Sequence, residues 1–175
     1  MSTTHAVARD PALLTAITAH TGIQFNALLE PFLPIAHPTL NLVLTSYRTS
    51  DVDAQVRCLN DPAVALNLSG PPFPNRREDS LGWQAVVNGR FEAQLARWAA
   101  GDWTPPNDHV FGLIRDVDSG ELVGDLGYTR WAWEDLAHDS EARAEAVARE
   151  KAIVAGNPEA TWSFGCKWPL VNRYA

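Results

Sequence analysis

Residues 110–130 read VFGLIRDVDSGELVGDLGYTR, and this stretch decides the fold class of the chain. Two segments with the β-branched and aromatic residues typical of strands, 110–115 and 121–130, flank the turn-forming residues 116–120. A connection of this length joins two neighbouring antiparallel strands. We therefore predict a β-hairpin at the centre of a mostly antiparallel sheet.

The residues before the hairpin predict a strand and a helix that follow each other closely. Residues 40–48 have the alternation of a strand. Ser50 or Asp51 then begins a helix as its N-cap. A short helical or turn segment at 63–68 runs into the proline-rich residues 69–74, which predict a loop.

The clearest helix signal in the chain follows this loop. Asn75 and Glu78 have the spacing of a capping box. Large apolar side chains then recur at helical spacing, at Trp83, Val87, Phe91, Leu95 and Trp98. We expect this stripe to be buried in the core and to bind no ligand. The interior Gly89 costs about 1 kcal/mol against alanine, so a helix divided at this point is the alternative.

The residues before and after this central region are predicted from their caps and composition. In the segment 1–37, Asp10 and Gly22 bound a short helix, and the prolines around Pro34 predict an extended lead-in across the surface. After the hairpin, the charged, alanine-rich residues 139–154 predict a solvent-exposed helix. Residues 160–166 predict a last strand.

Composition limits the classes of function. The chain has 175 residues, 46% of them hydrophobic, and seven tryptophans, which predicts a folded domain of ordinary size. The net charge of −7 argues against nucleic acid as a partner. No apolar stretch approaches the roughly 20 residues that span a bilayer, and residues 1–10 lack signal-peptide features. We expect a cytoplasmic protein with no membrane partner.

Histidines and cysteines give no sign of a metal site. Cys58 and Cys166 lie far apart and fit no metal-ligand spacing, so two independent thiols are expected. The five histidines contain no i,i+4 pair, and we expect them at the surface or in turns. They are His5, His20, His37, His109 and His138.

Five stretches, in this order along the chain, resemble the first half of the GNAT acyl-CoA N-acyltransferases, in the branch that acetylates ribosomal-protein N-termini and its fungal-type relatives. They are LNLVLTSYR at 40–48, LNDPAV at 59–64, PFP at 72–74 with REDSLGW at 77–83, FGLIR and GELVGDLG within 111–127, and WSFG at 162–165. The resemblance implies an α/β (α+β) fold, in which a GNAT-like mixed, mostly antiparallel sheet has flanking helices. It also implies that this fold is truncated at its C-terminal end. It divides the chain into an N-terminal arm, 1–37, and a partial N-acetyltransferase domain, 38–175.

The resemblance also implies an activity and a set of site residues. Acetyl-CoA would be the co-substrate, and the acetyl group would pass to a small-molecule amine or a peptide N-terminus. The last strand would hold the pantetheine arm, and the proline-rich loop would face the acceptor. The cofactor positions are Trp162, Ser163, Phe164, Gly165 and Cys166, and the acceptor positions are Pro72 and Phe73. No catalytic base is implied, since Glu159 before the last strand has the character of a surface carboxylate.

One departure from the family pattern keeps other functions open. The family places a glycine-rich pyrophosphate loop after the last strand, but no glycine follows Gly165 here. The chain could thus be an inactive acyltransferase, or its end could be set by a gene-model error. The alternative function is a non-catalytic binding or assembly module that uses the half-fold. In that case a homo-oligomer through the open edge of the sheet is expected.

Overall fold

The structure is a computed structural model that describes residues 10–68, 70–132, 135–154 and 156–167, with residues 166 and 167 described by their backbone. Within these ranges the chain is a mixed α/β fold with one six-stranded antiparallel sheet and five helices. The strands are β1 (Gln24–Phe25), β2 (Pro31–Ile35), β3 (Leu42–Thr45), β4 (Leu113–Asp116), β5 (Leu122–Arg130) and β6 (Trp162–Lys167). Each pairs antiparallel with the next, so the order in space is the order in sequence. The predicted hairpin, β4 and β5, is confirmed.

The helices begin and end where local sequence directs them. They are α1 (Pro11–Thr21), α2 (Val52–Leu59), α3 (Pro62–Ala65), α4 (Arg77–Ala99) and α5 (Glu141–Ala152). The Asp10 carboxylate accepts from the Ala12 amide at the start of α1, and Gly22 ends the helix with a φ of 76°. Both predicted caps of α1 are confirmed. No helix in the described part of the chain is long and apolar enough to cross a membrane.

The long helix α4 runs for 23 residues without the break that Gly89 was expected to allow. Asn88 holds the helix at this point, because its Nδ2 donates to the Tyr47 carbonyl at 3.1 Å. The capping box also differs from the prediction by one residue. The Asp79 carboxylate accepts from the Arg76 amide at 2.8 Å, whereas the Asn75 side chain accepts from the Ser80 hydroxyl.

The proline-rich segment before β3 is not the surface lead-in that its prolines predicted. It is strand β2, which lies between β1 and β3. Proline is tolerated at the first residue of a strand and where a strand has a free edge. Pro31 is the first residue of β2, and Pro34 lies beyond the two residues that β1 covers.

The two faces of the sheet pack against different partners. Leu113 of β4 lies on the face that packs against the middle of α4, in a cluster with Tyr47 and Val87. Ile114, the next residue, lies on the other face and packs with Leu42. A further cluster joins α1 to the second half of α4, with buried members Ile17, Ile23, Phe91, Leu95, Trp98, Val110 and Phe111. The predicted apolar stripe of α4 is therefore core along most of its length.

Candidate functional site

A cavity of about 440 Å³ opens between α2, the proline-rich loop, the first turns of α4 and strand β5. Such a volume falls in the range of about 300–1,000 Å³ that is usual for small-molecule sites. Its described lining is mostly apolar on the loop and α4 sides. The lining residues are Gln55, Leu59, Gly70, Pro71, Pro72, Asn75, Asp79, Ser80, Gly82, Trp83, Val86 and Asp125.

Asp125 brings a carboxylate to this cavity from the middle of the sheet. It is the cross-strand partner of Leu113, so it lies on the same face of the sheet as that residue. Asp125 is half-buried, and its Oδ2 accepts a hydrogen bond from the Tyr47 hydroxyl at 2.9 Å. A carboxylate held in this way is a fixed negative charge in a largely apolar wall.

Tyr47 supports Asp125 as a neutral donor. The side chain is buried, and its hydroxyl also accepts from Trp83 Nε1 at 3.3 Å. Burial, followed by the charge of Asp125, raises the pKa of Tyr47 far above its ordinary value of 10.0. The hydroxyl therefore keeps its proton and continues to donate to Asp125 throughout the neutral range.

Ionisation of Tyr47 is expected to weaken the fold at alkaline pH. Because the folded pKa is raised, the stabilisation is fully present below the unfolded pKa of about 10 and is lost as the pH rises above it. One proton bound only in the folded state corresponds to about 1.4 kcal/mol per pH unit. Above pH 10, the free energy of unfolding of the wild type should fall more steeply than that of Tyr47→Phe by this amount, measured by urea denaturation. Parallel curves for the two proteins would contradict the assignment.

The structure separates the two residues that were predicted to face the acceptor. Pro72 lines the cavity. Phe73 does not, and its side chain is 66% exposed.

The predicted cofactor positions form strand β6, which pairs with β5 and with no other described strand. The Trp131 amide donates to the Thr161 carbonyl, which fixes the phase of the β5–β6 ladder. Alternate residues of an antiparallel strand bond to opposite sides. The backbone N–H and C=O of Trp162, Phe164 and Cys166 therefore point away from β5, whereas those of Ser163 and Gly165 bond to it.

The cavity and β6 meet at one end of β5. Asp125 is the cross-strand partner of Lys167, and Leu126 is that of Cys166. Trp162 lies at the other end of β6, opposite Arg130, about 16 Å further along at the usual rise per residue. The structure thus brings the C-terminal half of β6, not the whole predicted set, next to the cavity. The side chain of Cys166 lies outside the described residues.

Sequence reasoning missed Asp125, Tyr47 and Trp83. Trp83 was assigned to the buried stripe of α4, but its side chain is 40% exposed and lines the cavity. It was misassigned because helical periodicity fixes a face of the helix and not what covers each turn of that face. Asp125 lies within the stretch GELVGDLG, which predicted a strand and gave Asp125 itself no role, so its position in the cavity and its hydrogen bond with Tyr47 identify it.

His109 also departs from the sequence expectation that histidines lie at the surface or in turns. Its side chain is buried and its ring lies over Gly127, where an added Cβ would come within 3.1 Å of the ring. Nδ1 lies 3.1 Å from the Tyr128 carbonyl oxygen. A carbonyl can only accept, so Nδ1 carries the proton and Nε2 has the lone pair in the neutral ring.

Glu159, the carboxylate considered as a base before β6, is exposed. No group of three or more histidine, cysteine, aspartate or glutamate side chains that could hold a metal ion occurs in the described ranges. Comparison of the chain with protein-family models, with curated proteins and with solved structures found no match. The function is therefore inferred from the geometry of the cavity and of β6.

Proposed function

We propose that this chain is an N-acyltransferase of the GNAT type, which transfers acetyl from acetyl-CoA to an amine bound in the cavity beside Asp125. The observation that carries the proposal is the meeting of two sites at one end of β5. Asp125 lines the cavity, and its cross-strand partner Lys167 is the last residue of β6. The outer backbone groups of β6 face no neighbouring strand in the described part of the chain. An acceptor and an extended acyl donor would therefore lie side by side.

The edge of β6 has the groups that an extended pantetheine arm needs. Amide N–H and carbonyl groups that point away from β5 recur at every second residue. They can bond to an extended chain in the manner of an added strand. The outward N–H of Phe164 or Cys166 can in addition donate to the thioester carbonyl oxygen and stabilise the charge that develops there.

The reaction is a direct acyl transfer. An acceptor that binds as an ammonium ion first gives one proton to solvent or to a base. The neutral amine nitrogen then attacks the thioester carbonyl carbon, a C–N bond forms and the C–S bond breaks. Coenzyme A leaves as the thiolate and takes up a proton, and the amide nitrogen loses one proton to solvent or a base. The proton count is balanced, and no metal or redox partner enters.

Phe164→Pro is the variant that tests this proposal most sharply. Proline removes the outward N–H but leaves the β5–β6 ladder intact, since Phe164 does not donate to β5. Loss of one donor to a developing oxyanion lowers kcat by about 10²–10³. We expect that loss in acetyl transfer from acetyl-CoA to hexylamine, measured by mass spectrometry of the product.

Phe164→Ala is the matched control, because it removes the ring and keeps the N–H. Its rate should remain close to that of the wild type, and both variants should unfold at similar temperatures. Equal rates in the proline and alanine variants would show that the amide of Phe164 takes no part. A wild-type chain that neither binds acetyl-CoA in calorimetry nor transfers acetyl would overturn the proposed function.

A second candidate function uses the same edge without chemistry. An exposed edge strand can accept an extended peptide, or a second copy of the chain, as a further strand. The 72% exposure of Phe164 on this edge favours that reading. Under this hypothesis Phe164→Pro would weaken self-association or peptide binding in light scattering and calorimetry, and acetyl-CoA would have no effect on either.

A further inference from the structure

We infer that the cavity binds a small primary ammonium ion with an uncharged apolar arm, and that Asp125 receives its charge. If the chain is an acetyltransferase, this ammonium ion is its acceptor substrate, and that part of the inference rests on the proposed function. Binding itself needs no acyl donor and can be measured alone.

The charge of the cavity wall selects a cation. Among the described lining residues only Asp79 and Asp125 carry charge, and both are acids. Arg90, whose charge acts on Tyr47 beside Asp125, is already engaged, because its guanidinium lies 5.5 Å from the Trp83 ring centroid and 3.8 Å from the Asp108 carboxylate. Among the side chains that the structure describes, the wall therefore presents negative charge to a ligand.

One oxygen of Asp125 is available to the ligand. Oδ2 accepts from the neutral Tyr47 hydroxyl, and Oδ1 makes no hydrogen bond within the described ranges. A primary ammonium has three donors and can give one to Oδ1 as a charge-assisted hydrogen bond. Tyr47 keeps the carboxylate in place without neutralising it.

The rest of the ligand meets apolar surface. Leu59, Pro72, Trp83 and Val86 line the cavity. Such walls favour an alkyl or aromatic arm over a polar one, because burial of an unpaired polar group is costly.

The polar side chains in the wall are bonded to protein partners. Gln55 Oε1 accepts from Gln84 Nε2 at 2.8 Å, and Asn75 Oδ1 accepts from the Ser80 hydroxyl at 2.8 Å. A peptide backbone, with a donor and an acceptor at each residue, would find few partners here. The cavity thus suits a small amine better than a peptide N-terminus.

A single positive charge fits better than two. Asp79, the second acid, already accepts from the Arg76 amide as the cap of α4. It stands in the first turn of that helix, where the positive end of the helix dipole compensates its charge. A second ammonium at this position would face the same positive end, so a monoamine should bind more tightly than a diamine of equal length.

The experiment is isothermal titration of the full 175-residue chain without acyl donor. The ligands are 2-phenylethylamine, 2-phenylethanol and 3-phenylpropionate, which share an arm and differ in charge, with hexylamine and 1,6-diaminohexane as a second pair. A charge-assisted hydrogen bond is worth a factor of about 10–100 in affinity. We expect the phenyl amine to bind that much more tightly than the alcohol, the acid not to bind, and hexylamine to exceed the diamine.

Two variants locate the binding. Asp125→Asn should reduce the affinity for the amine to that for the alcohol. Gly82→Leu places a side chain in the cavity from α4 and keeps Asp125, so it should abolish binding of both the amine and the alcohol. The variant should fold, because an added Cβ at Gly82 meets no atom within 4 Å and leucine is a good helix former. Glu92→Gln, on the exposed surface of α4, is the matched charge control and should bind as the wild type does.

Equal affinity for the amine and the alcohol, or amine binding that survives Gly82→Leu, would overturn the inference. Tighter binding of the diamine would overturn its single-charge part. Amine binding without acetyl transfer would contradict the proposed function and support the inference that the cavity binds an ammonium ion. Acetyl transfer to peptide N-termini without binding of small amines would do the reverse.

Discussion

Asp51→Ala is expected to lower the free energy of unfolding by about 3–5 kcal/mol, because it leaves a buried arginine without its partner. Both oxygens of Asp51 lie 2.9 Å from Arg115 Nη2, and the two side chains are only 5% and 9% exposed. Asp51 Oδ2 also accepts from the Arg48 amide. The pair ties the start of α2 to strand β4, so its loss should affect the whole fold in urea denaturation.

Asp53→Ala is the matched control for this prediction. Asp53 lies two residues after Asp51 and pairs with Arg77. The side chains of Asp53 and Arg77 are 74% and 53% exposed. Exposed pairs contribute about 0–1 kcal/mol. In the double variant Asp51→Ala with Arg115→Met, much of the lost free energy of unfolding should return, because no unpaired arginine charge is left buried. Similar losses in the Asp51 and Asp53 variants would contradict the prediction.

Glu150→Ala is expected to have an effect of the same size, about 3–5 kcal/mol, at the other end of the sheet. Glu150 Oε1 accepts from Arg130 at 2.8 Å and from the Thr161 amide at 2.8 Å, and the two charged side chains are 5% and 10% exposed. These bonds attach α5 to β5 and to the start of β6. We expect hydrogen exchange to accelerate most in α5 and β6 and least in β3 and β4.

Glu145→Ala is the control for Glu150, since both lie on α5 and only Glu150 is buried. Glu145 is exposed and stands four residues before Arg149 on the same helix, and exposed helix pairs at this spacing contribute about 0.3–0.5 kcal/mol. An equal effect of the two substitutions would show that α5 is attached by something other than the buried ion pair. An effect of Glu150→Ala confined to α5 would show that β6 holds its place without the helix.

Parts of the candidate site were within reach of the sequence, and parts were not. The loop that contains Pro72 and the strand that contains Phe164 were both predicted as elements. Their relation was not, because it depends on Asp125, for which the strand pattern around it predicted no role. Trp83 was placed on the correct face of α4 and given the wrong environment, since that face passes from the core to the cavity within one turn.

Elements whose causes are local follow directly from the sequence. The caps of α1, the apolar spacing of α4 and the turn between β4 and β5 each depend on residues a few positions apart, so periodicity and capping rules suffice. Only the tertiary structure decided the pairs that hold and define the site. Tyr47 and Asp125 are 78 residues apart, and Asp51 and Arg115 are 64 apart. Such contacts follow from the register of the sheet, which places distant residues on one face, and no local pattern encodes that register.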